Sequence, residues 1–465
     1  MSPERAVTAV AQPVEALLVN IQDGSSLAYH LPYENLRLGT IGAALDRAGI
    51  GCAYHDSAAD PEGLAAALGS LAPRPVIVFD TLYRISDGVI AAILTARAVH
   101  PEACVLVVGR AAAAVSMQPA VADQVNAVAD SGDVDRVVAT CLSHFGRTQA
   151  ATPVGWQTIT PQRRFPHFAR ARGVLDVEAT RGCMHGCSFC AVDGVPDAPR
   201  IRRWQARDPA DVVAEIAEHA VGRNIRRVQF VDDNFLGSPG AVDWARRFAG
   251  ELRGGNVEVS FSIYARLDRT LDRVLDTLRS VGLVQVHAGV ESGSSSVLRR
   301  LRKGTAPAEL SRMVHRLRQR NVGLVASLIV FEPRSTLDEL AESLCWVDEH
   351  QLHRSFSLTT LIPFRNTLAH RELRAQVIAE PSTSFAPLGY RFTEPDVELV
   401  YRAAVAREAR HERLSDGALE RWMRKRFEFE ELLGLGPEPT ELRDLDRYRA
   451  GQIAAILDDI RRLRP

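Results

Sequence analysis

The stretch TRGCMHGCSFCAVDG, residues 180–194, holds three of the seven cysteines of the chain, Cys183, Cys187 and Cys190. Thiols at this density indicate a metal centre. A structural zinc ion commonly takes four ligands from two separated cysteine pairs. The sequence has no second pair, and His185 could supply a fourth ligand only through strained local geometry. Thiolates also hold iron–sulfur clusters, and a cubane held by three protein thiolates leaves one iron open. The absence of a fourth cysteine would then leave that iron open to bind a ligand, and this is the functional feature of the motif.

The composition of the whole chain limits the classes of protein that it can represent. Its 465 residues, 46% of them hydrophobic, suffice for two or three domains. The formal net charge of -1 gives no basic excess for nucleic acid or an anionic membrane, so a small-molecule substrate is the expected partner. No apolar run reaches the roughly 18 residues of a membrane helix, and the N-terminus lacks the apolar stretch of a secretion signal. We expect a cytoplasmic protein that binds neither nucleic acid nor membrane.

The remaining four cysteines stand singly in apolar surroundings. Seven cysteines are too few and too clustered for a disulfide framework, which favours a reducing compartment. The single cysteines are therefore predicted to be small buried hydrophobic residues. They are Cys52, Cys104, Cys141 and Cys345.

Apolar runs of strand length alternate with segments of helical period, which predicts an α/β protein with parallel sheets. The first series of runs predicts a flavodoxin-like, doubly wound domain over residues 1–145. A segment that contains three prolines and shows neither the helical nor the strand period predicts a linker over 146–166. The predicted strands of the first domain are Ala16–Asn20, Cys52–Tyr54, Pro75–Phe79, Cys104–Val108 and Asn126–Val128.

A second series of six runs predicts a partial (β/α)6 barrel of the TIM type over residues 167–388. Asp208-Pro209 and Ser238-Pro239 resemble an N-cap followed by proline at the first helical position. From residue 389 to 465 the pattern predicts a helical domain. The predicted barrel strands are Val174–Glu178, Arg227–Val231, Val257–Ile263, Val284–Val290, Leu324–Phe331 and Ser355–Thr360.

The cysteine motif follows the first strand of the second series, on a loop at the end where barrel folds carry their chemistry. With the aromatic Phe189 before the last cysteine, it resembles the radical S-adenosylmethionine (radical SAM) superfamily, and the resemblance implies that Phe189 contacts SAM. The resemblance extends over about residues 170–367 and is supported by motifs after the later strands. After the second strand, FVDDNF resembles the family segment that receives the amino group of SAM. Its candidate residues are Asp232, Asp233 and Asn234.

Three further segments extend the resemblance. In SFSIYARLD, Ser262 and Arg266 match positions that in the family approach the ribose and the carboxylate of SAM. The segment VHAGVESG is similar to the G-x-E-S-G strand end of the family, which implies that Glu291 and Ser292 bond the ribose hydroxyls. The segment LIPFRNT, with Pro363 and Phe364, resembles the P-x-P-G-T turn near the adenine, although Arg365 and Asn366 replace the usual proline and glycine.

The resemblance implies a specific chemistry. A 4Fe-4S cluster on the three cysteines would bind SAM through its open iron. A flavodoxin- or ferredoxin-type donor would supply the electron that cleaves SAM to a 5′-deoxyadenosyl radical, which abstracts hydrogen from the substrate. No second cysteine group follows Cys190, so auxiliary clusters are not expected.

The first domain resembles the cobalamin-binding domain that precedes many radical SAM barrels. Its sequence contains no Asp-x-His-x-x-Gly for a lower axial ligand. In the loop VVGRAAAAVSM, Arg110 stands where a second glycine would let the cofactor approach the backbone. The segment ADSGDVDRVV also lacks a glycine-rich phosphate-binding character. We therefore expect an eroded domain without cobalamin, while bound cobalamin stays the alternative.

In architecture and size the chain resembles the radical SAM diol dehydratases of aminoglycoside antibiotic biosynthesis, such as that of the apramycin pathway, which work with a separate NADPH-dependent reductase. The predicted function is thus the dehydration of a 1,2-diol in an aminoglycoside or aminosugar. The alternatives are a cobalamin-dependent radical SAM C-methyltransferase and a binding protein without catalysis. Tyr264 and His287 lie near strand ends and are candidates to move a proton.

A cationic aminosugar would need acidic partners, because a buried ammonium group requires a counter-charge. Acidic side chains at the strand ends are the candidates for this role. They are Asp193, Glu332 and whichever of Asp232 and Asp233 does not contact SAM.

Overall fold

The computed structural model describes residues 14–22, 33–81, 85–109, 111–129, 133–148, 155–193, 204–364, 367–379, 389–414 and 440–464. The chain divides into two compact units, one extending to Phe165 and one beginning at Pro166. Each unit has its own parallel sheet and its own hydrophobic core. The predicted α/β fold with two sheets and a helical C-terminal region is confirmed.

The first unit is built on a five-stranded parallel sheet in the order β2-β1-β3-β4-β5, the flavodoxin-like order. All five predicted strands are present, with ends that differ by at most two residues. Strands β1, β3 and β4 are buried along their whole length, which explains their continuous apolar sequences. The elements are β1 Ala16–Asn20, α1 Leu36–Arg47, β2 Cys52–Asp56, α2 Leu64–Gly69, β3 Val76–Asp80, α3 Asp87–Val99, β4 Cys104–Val108, β5 Ala127–Ala129 and α4 Val134–His144.

The single cysteines follow the prediction only in part. Cys104 and Cys141 are buried in the core of the first unit, and Cys52 is partly buried. Cys345 is exposed, so its predicted burial was wrong. It lies on a helix at a position that faces solvent, whereas its neighbours Leu344 and Trp346 are buried.

Residues 155–165, within the predicted linker, pack onto the first unit. Trp156 and Ile159 join its hydrophobic core. The Gln162 N–H donates to the Gly39 carbonyl oxygen over 3.1 Å. A Cβ at Gly39 would lie 2.5 Å from the Gln162 oxygen, so glycine is needed for this approach. The segment therefore belongs to the first unit and is not a free connection.

The second unit has a five-stranded parallel sheet in the order β12-β11-β10-β9-β6. Helices lie between successive strands, as in a partial barrel. Short strands β7 and β8 form a separate antiparallel pair. The elements up to the last barrel strand are α5 Pro166–Arg172, β6 Leu175–Val177, β7 Thr180–Arg181, β8 Gln205–Ala206, α6 Pro209–His219, β9 Arg227–Phe230, α7 Ala241–Gly254, β10 Ser260–Tyr264, α8 Arg269–Asp272, α9 Leu275–Arg279, β11 Leu283–Glu291, α10 Ser295–Arg300, α11 Pro307–Gln319 and β12 Gly323–Leu328.

The sixth predicted strand, Ser355–Thr360, is not a regular strand. A single parallel bridge joins Phe331 to Thr360. Side-chain hydroxyls take over part of the pairing: Ser355 Oγ accepts from the Ala326 N–H over 3.0 Å, and Thr359 Oγ1 donates to the Leu328 carbonyl oxygen over 2.6 Å. The segment thus occupies the sixth position with a local, partly side-chain-mediated pairing.

The outer face of the second sheet carries the core. Phe230, Phe261, Phe235, Phe248 and Trp244 form a cluster of edge-to-face and stacked rings beneath α7. Each buried ring stabilises the fold by about 1.5–3 kcal/mol. Because successive side chains of a strand point to opposite faces, the residues between these aromatic residues face the inside of the barrel.

Helix starts follow the predicted caps at one of two places. Asp208 caps α6, and its side chain accepts from the Ala210 N–H over 2.9 Å with Pro209 at the first turn. The prediction for Ser238-Pro239 was wrong, since α7 begins at Ala241 with Gly240 at the N-cap. Ser238 instead accepts a backbone bond from Ala241 in the preceding turn.

The C-terminal part is mainly helical, as predicted. An antiparallel pair, β13 and β14, precedes two long helices. No helix among the described residues is long and apolar enough to cross a membrane. The elements are α12 Leu337–Glu349, α13 Leu368–Leu373, β13 Val377–Ala379, β14 Gly389–Tyr390, α14 Pro395–Leu414 and α15 Thr440–Leu463.

Candidate active site

The cysteine motif lies on the loop after β6 and β7, at the carboxyl-terminal edge of the second sheet. The side chains of Cys183, Cys187 and Cys190 are partly exposed. Gly182, immediately before the motif, has a φ of +81°, a conformation that glycine adopts without strain. The loop therefore presents three accessible sulfur atoms where barrel folds bind their ligands.

Backbone hydrogen bonds fix this loop at several points. The Met184 N–H donates to the Gly237 carbonyl oxygen over 3.0 Å. Ser188 donates its N–H to Leu301 over 3.0 Å and accepts from the Ala369 N–H over 2.8 Å. Phe189 packs against the small apolar cluster that includes Leu301. The contacts of Phe189 make it an anchor of the loop, and its predicted contact with SAM stays a prediction.

Asp232 holds the start of the same loop. Its Oδ1 accepts from the backbone N–H groups of Ala179, over 3.0 Å, and Thr180. The side chain is 3% exposed, and burial raises the pKa of Asp232 to about 8 against the opposing hydrogen bonds from Thr180. One oxygen of this carboxyl thus bonds to the backbone of the chain, while the buried Oδ2 has no hydrogen-bond partner among the described residues. The predicted contact of Asp232 with SAM or substrate stays a prediction.

The role of Asp232 leads to a stability prediction. Asp232→Ala leaves two buried N–H groups unpaired, which should lower the free energy of unfolding by about 1–3 kcal/mol for each group. Asp232→Asn keeps an acceptor oxygen and should cost less. Because the pKa is raised in the folded state, the wild type binds more protons folded than unfolded between about pH 4 and 8. Its stability relative to Asp232→Asn should therefore fall as the pH rises through that window.

Urea unfolding followed by tryptophan fluorescence at pH 5 and pH 8 measures both effects. Equal losses for the alanine and asparagine variants would contradict the assigned role of the carboxyl oxygen. A difference between wild type and Asp232→Asn that does not change with pH would contradict the raised pKa.

Asn234 and Arg266 contact the motif cysteines directly. Asn234 Nδ2 lies 3.3 Å from Cys183 Sγ, and Arg266 NH1 lies 3.3 Å from Cys187 Sγ. Burial raises the pKa of the Cys183 thiol, and the bond from Asn234 opposes that rise. Asp233, between the two buried residues Asp232 and Asn234, is exposed. Both side chains thus contact sulfur in the folded chain, and the contacts with SAM that the resemblance implies for them stay predictions.

The end of β11 has an unusual backbone conformation. Glu291 has a φ of +67°, which non-glycine residues rarely adopt and which often marks functional sites. Its Oε1 forms a buried ion pair with Lys303 Nζ at 2.8 Å. A Cβ at Gly289 would lie 2.1 Å from Glu291 Oε1, so glycine leaves room for this pair. Lys303 was not predicted from the sequence, because its partner lies twelve residues earlier, on the other side of helix α10.

Ser292 is buried and turned toward a helix. Its Oγ lies 2.5 Å from Ser343 Oγ and accepts from the Ser294 N–H over 3.0 Å. These contacts use the hydroxyl within the fold, so its predicted bond to the SAM ribose stays a prediction. Pro363 is buried and Phe364 partly buried, while Arg365 and Asn366 lie outside the described residues.

The inner face of the second sheet carries a row of polar side chains. Gln229, Ser262 and Gln285 are neighbours in register on three adjacent strands. Ser262 is 0% and Gln285 1% exposed, and Ser262 Oγ and Gln285 Oε1 have no hydrogen-bond partner among the described residues. The two glutamines were missed in the sequence, although glutamine within the apolar runs RVQF and LVQV is a usable signal.

Tyr264 and His287 form the next level of this inner face. They are cross-strand neighbours on β10 and β11, and their rings stack with centroids 4.7 Å apart. Gln229 Nε2 lies 3.4 Å from the Tyr264 hydroxyl. The structure thus brings together the two predicted proton carriers and joins them to the polar row.

Glu332 and Asp193 were predicted to hold a cationic substrate. Glu332 is fully buried, and its oxygens accept from Arg300 over 3.0 Å and Arg334 over 2.9 Å. Two arginines thus compensate this carboxylate, and its predicted contact with a cationic substrate stays a prediction. The side chain of Asp193 lies outside the described part of the chain.

Residues 177–347 match the family model described as the radical SAM superfamily. The chain carries a radical SAM domain. The match begins at the end of β6, includes the cysteine motif and extends through most of α12.

Curated relatives align with part of the chain. Over 189 residues it is 23% identical to an uncharacterized methyltransferase of Pyrococcus horikoshii, covering 40% of this chain and 39% of that protein. Over 221 residues it is 31% identical to a tRNA-2-methylthio-N(6)-dimethylallyladenosine synthase of Anaeromyxobacter sp. (strain K), covering 45% of this chain and 46% of that protein. The chain thus covers less than half the length of these relatives.

Two solved structures are similar over most of the chain. The cobalamin-dependent S-adenosylmethionine radical enzyme OxsB with aqua-cobalamin bound has a TM-score of 0.75 at 14% identity, covering 96% of this chain and 72% of that one. The radical S-adenosylmethionine methyltransferase TsrM of Kitasatospora setae has a TM-score of 0.62 at 16% identity, covering 79% and 77%. At these identities the likeness establishes the fold. The fold is thus similar to that of these two enzymes.

The radical SAM domain implies a 4Fe-4S cluster and SAM, and the cysteine loop fits a cluster. Three accessible thiols meet two nitrogen donors at the open edge of the sheet. No three His, Cys, Asp or Glu side chains among the described residues converge as a single metal ion requires. A cubane has a different requirement, because each thiolate binds its own iron.

The carboxyl edge of the first sheet shows what a cobalamin would meet in that unit. Ligands of flavodoxin-like folds bind at the switch point between β1 and β3. Here Asn35 Nδ2 donates to Asp80 over 2.7 Å and to Asn20 over 3.2 Å, and Asn20 donates to Asp56 over 2.7 Å. Arg37 pairs with Asp80 at 2.9 Å. The four asparagine and aspartate side chains are all less than a tenth exposed and bond to one another.

The next strand end is also tightly packed. Gly109, after β4, has a φ of +110°, and a Cβ there would lie 1.8 Å from the Thr81 carbonyl oxygen. The Thr81 N–H donates to the Val108 carbonyl oxygen over 2.8 Å. Arg110, the residue on which the sequence prediction rested, lies outside the described residues.

Proposed function

We propose that this chain is a radical SAM enzyme that removes a hydrogen atom from a hydroxylated small molecule, and that the substrate then loses water. The proposed substrate carries a 1,2-diol, with an aminosugar or aminoglycoside as the preferred class. When bound, the cluster and SAM supply an electron and a carbon-centred radical that removes the hydrogen atom.

The inner face of the barrel is the observation that carries this proposal. Its polar row consists of neutral hydrogen-bonding groups, two amides and one hydroxyl, on Gln229, Gln285 and Ser262. The buried Ser262 Oγ and Gln285 Oε1 lack partners among the described residues, and such groups are costly unless something bonds to them. Hydroxyl groups both donate and accept, so the diol part of a sugar suits this face.

Tyr264 and His287 fit the acid–base work of dehydration. Loss of a hydrogen atom makes the adjacent hydroxyl more acidic, so one group can take its proton while a proton goes to the departing hydroxyl. The stacked rings lie beside the polar row, within one network that includes Gln229. The substrate radical left after water departs takes one electron and one proton. With the electron that cleaves SAM, each turnover therefore uses two electrons from the external donor.

A flavodoxin- or ferredoxin-type protein is the proposed donor, working with an NADPH-dependent reductase. The amino groups of the substrate need acidic partners. Both oxygens of Glu332 are already engaged, whereas only one oxygen of Asp232 is. Asp232, the exposed Asp233 at the same strand end and Asp193 keep this role as candidates.

We further propose that the first unit works without cobalamin. Cobalamin carries a phosphodiester tail, and the switch point of this unit holds the buried carboxylates Asp56 and Asp80 against one arginine, Arg37. Like charges at a buried site are unfavourable. The amide–carboxylate network also fills the place where a ligand would approach the strand ends.

Methyl transfer with cobalamin is the second candidate. The specific observation in its favour is that the likeness to OxsB extends over 96% of this chain, including the first unit. In that reaction the first unit would have to bind cobalamin.

One reconstitution separates the two functions. The chain is reconstituted anaerobically with iron, sulfide and hydroxocobalamin, desalted, and its iron and cobalt are counted. About four irons and no cobalt per chain are expected for the proposed enzyme. The loaded protein is then given SAM, a reductant and an aminoglycoside pseudodisaccharide with a vicinal diol. A product lighter than the substrate by one water supports dehydration. Stoichiometric cobalt and a methylated product would instead support cobalamin-dependent methyl transfer.

The acid–base pair gives a further prediction. His287→Phe and Tyr264→Phe should slow formation of the dehydrated product by about 10²–10⁴-fold. Production of 5′-deoxyadenosine should fall much less, because neither side chain is needed to cleave SAM. Mass spectrometry measures both products in the same sample. His315→Gln, on the exposed face of α11, is the matched control. Equal losses of both products would contradict the acid–base role.

A further inference from the structure

Asn234 and Arg266 each place a nitrogen donor against the sulfur of one motif cysteine. We propose that these two side chains position Cys183 and Cys187 as ligands and raise the reduction potential of the cluster that the cysteines hold. This inference rests on the proposed function, which requires that cluster. It assigns both side chains a role at the sulfur atoms, and the contacts with SAM that the resemblance implies for them stay predictions.

Asn234 is fixed so that its amide nitrogen points at sulfur. Its Oδ1 accepts from the Leu236 N–H over 3.2 Å, which leaves Nδ2 for Cys183 Sγ at 3.3 Å. The Asn234 carbonyl oxygen accepts from Trp204 Nε1 over 3.2 Å. The side chain is 4% exposed, so water cannot readily replace the bond. The amide orientation therefore follows from its surroundings.

Arg266 is held equally firmly, from the next strand of the sheet. Its NH2 donates to the Lys303 carbonyl oxygen, and its Nε lies 3.6 Å from Asp268 Oδ2. The remaining NH1 lies 3.3 Å from Cys187 Sγ. An arginine is charged at every accessible pH, so a cation stands permanently beside this sulfur. The side chain is only 10% exposed, which limits screening of that charge by water.

Both contacts act in the same direction on a bound cluster. Reduction adds negative charge, which is spread over the cluster and its cysteine sulfurs. Hydrogen bonds to these sulfurs and a nearby cation stabilise the reduced state more than the oxidised state. Loss of either donor should therefore make the potential more negative. The donors come from the loops after β9 and β10, so each cysteine is tied to a different strand end.

The experiment compares four variants of the full chain. Asn234→Asp keeps the acceptor for Leu236 but replaces the donor by oxygen, and Asn234→Ala removes the donor without adding charge. Arg266→Gln removes the cation, and Arg266→Lys retains it. Each protein is reconstituted with iron and sulfide, its iron is counted, and its potential is measured by a redox titration followed by electron paramagnetic resonance. The control is Arg246→Gln, on α7 and half exposed.

Removal of a donor should shift the ratio of reduced to oxidised cluster about tenfold toward oxidised, which is 59 mV for a one-electron couple. Arg266→Lys should recover part of the loss. Variants that fold, by circular dichroism and thermal melting, but retain clearly less iron would also support the positioning role. Full iron with unchanged potential in Asn234→Ala and Arg266→Gln would overturn the inference. A wild-type chain that takes up no iron would instead overturn the proposed function together with it.

Discussion

Cys183→Ala should abolish the cleavage of SAM. The cysteine follows the left-handed Gly182, and its sulfur is the one bonded by Asn234. Without this thiolate the loop offers two ligands, and a cubane then has two irons without protein ligands. We expect iron uptake to fall well below four per chain and no 5′-deoxyadenosine above background in an anaerobic assay with a strong reductant.

Another cysteine of the chain provides the control for this prediction. Cys345 is also free and exposed, but it lies on α12, away from the motif in sequence. Cys345→Ala should keep both iron and activity. Full cleavage of SAM by Cys183→Ala would refute the cluster assignment. Equal loss in both variants would mean that general thiol damage, and not ligation, explains the result.

The fold could be predicted well where the sequence reports burial directly. Strands buried on both faces have continuous apolar sequences, and β1, β3 and β4 were found within one residue of their ends. The predicted sixth barrel strand failed for a local reason. Ser355 and Thr359 use their hydroxyls to bond backbone groups of the neighbouring strand, which apolar periodicity does not report.

The positions of the site residues could be predicted from the sequence, but their hydrogen-bond partners could not. Resemblance placed Asp232, Asn234 and Arg266 at the correct strand ends near the cysteine loop. It could not show that the first bonds to Ala179 and Thr180 and that the other two reach sulfur. These partners come together only through tertiary folding, across gaps of more than fifty residues. The same limit applies to Glu332, whose two arginine partners the sequence does not report.

The second large effect is the loss of stability that we expect when Glu332 is replaced by alanine. The carboxylate is fully buried and bonded by Arg300 and Arg334, and Arg300 also pairs with Glu339 at 2.6 Å. The two arginines keep their outer partners Glu339 and Glu372, so the loss is that of buried hydrogen bonds to a charged group, which typically costs about 1.5–3 kcal/mol. Glu332→Ala should therefore lower the free energy of unfolding by about that amount, measured by urea unfolding. Glu372→Gln, which alters the more exposed partner of Arg334, should change it by less than about 1 kcal/mol.

The ion-pair network around Glu332 also connects to the cysteine loop, which allows a second measurement on the same variant. Ser188 Oγ donates to the Arg300 carbonyl oxygen over 3.2 Å, and the Ser188 N–H donates to Leu301. Loosening Arg300 should thus weaken the support between Cys187 and Cys190. We expect Glu332→Ala to lose iron on heating at a lower temperature than wild type, with its activity falling in proportion to the iron lost. A variant that keeps its stability and iron but loses turnover would instead support the predicted contact of Glu332 with substrate, since only a catalytic contact gives that result.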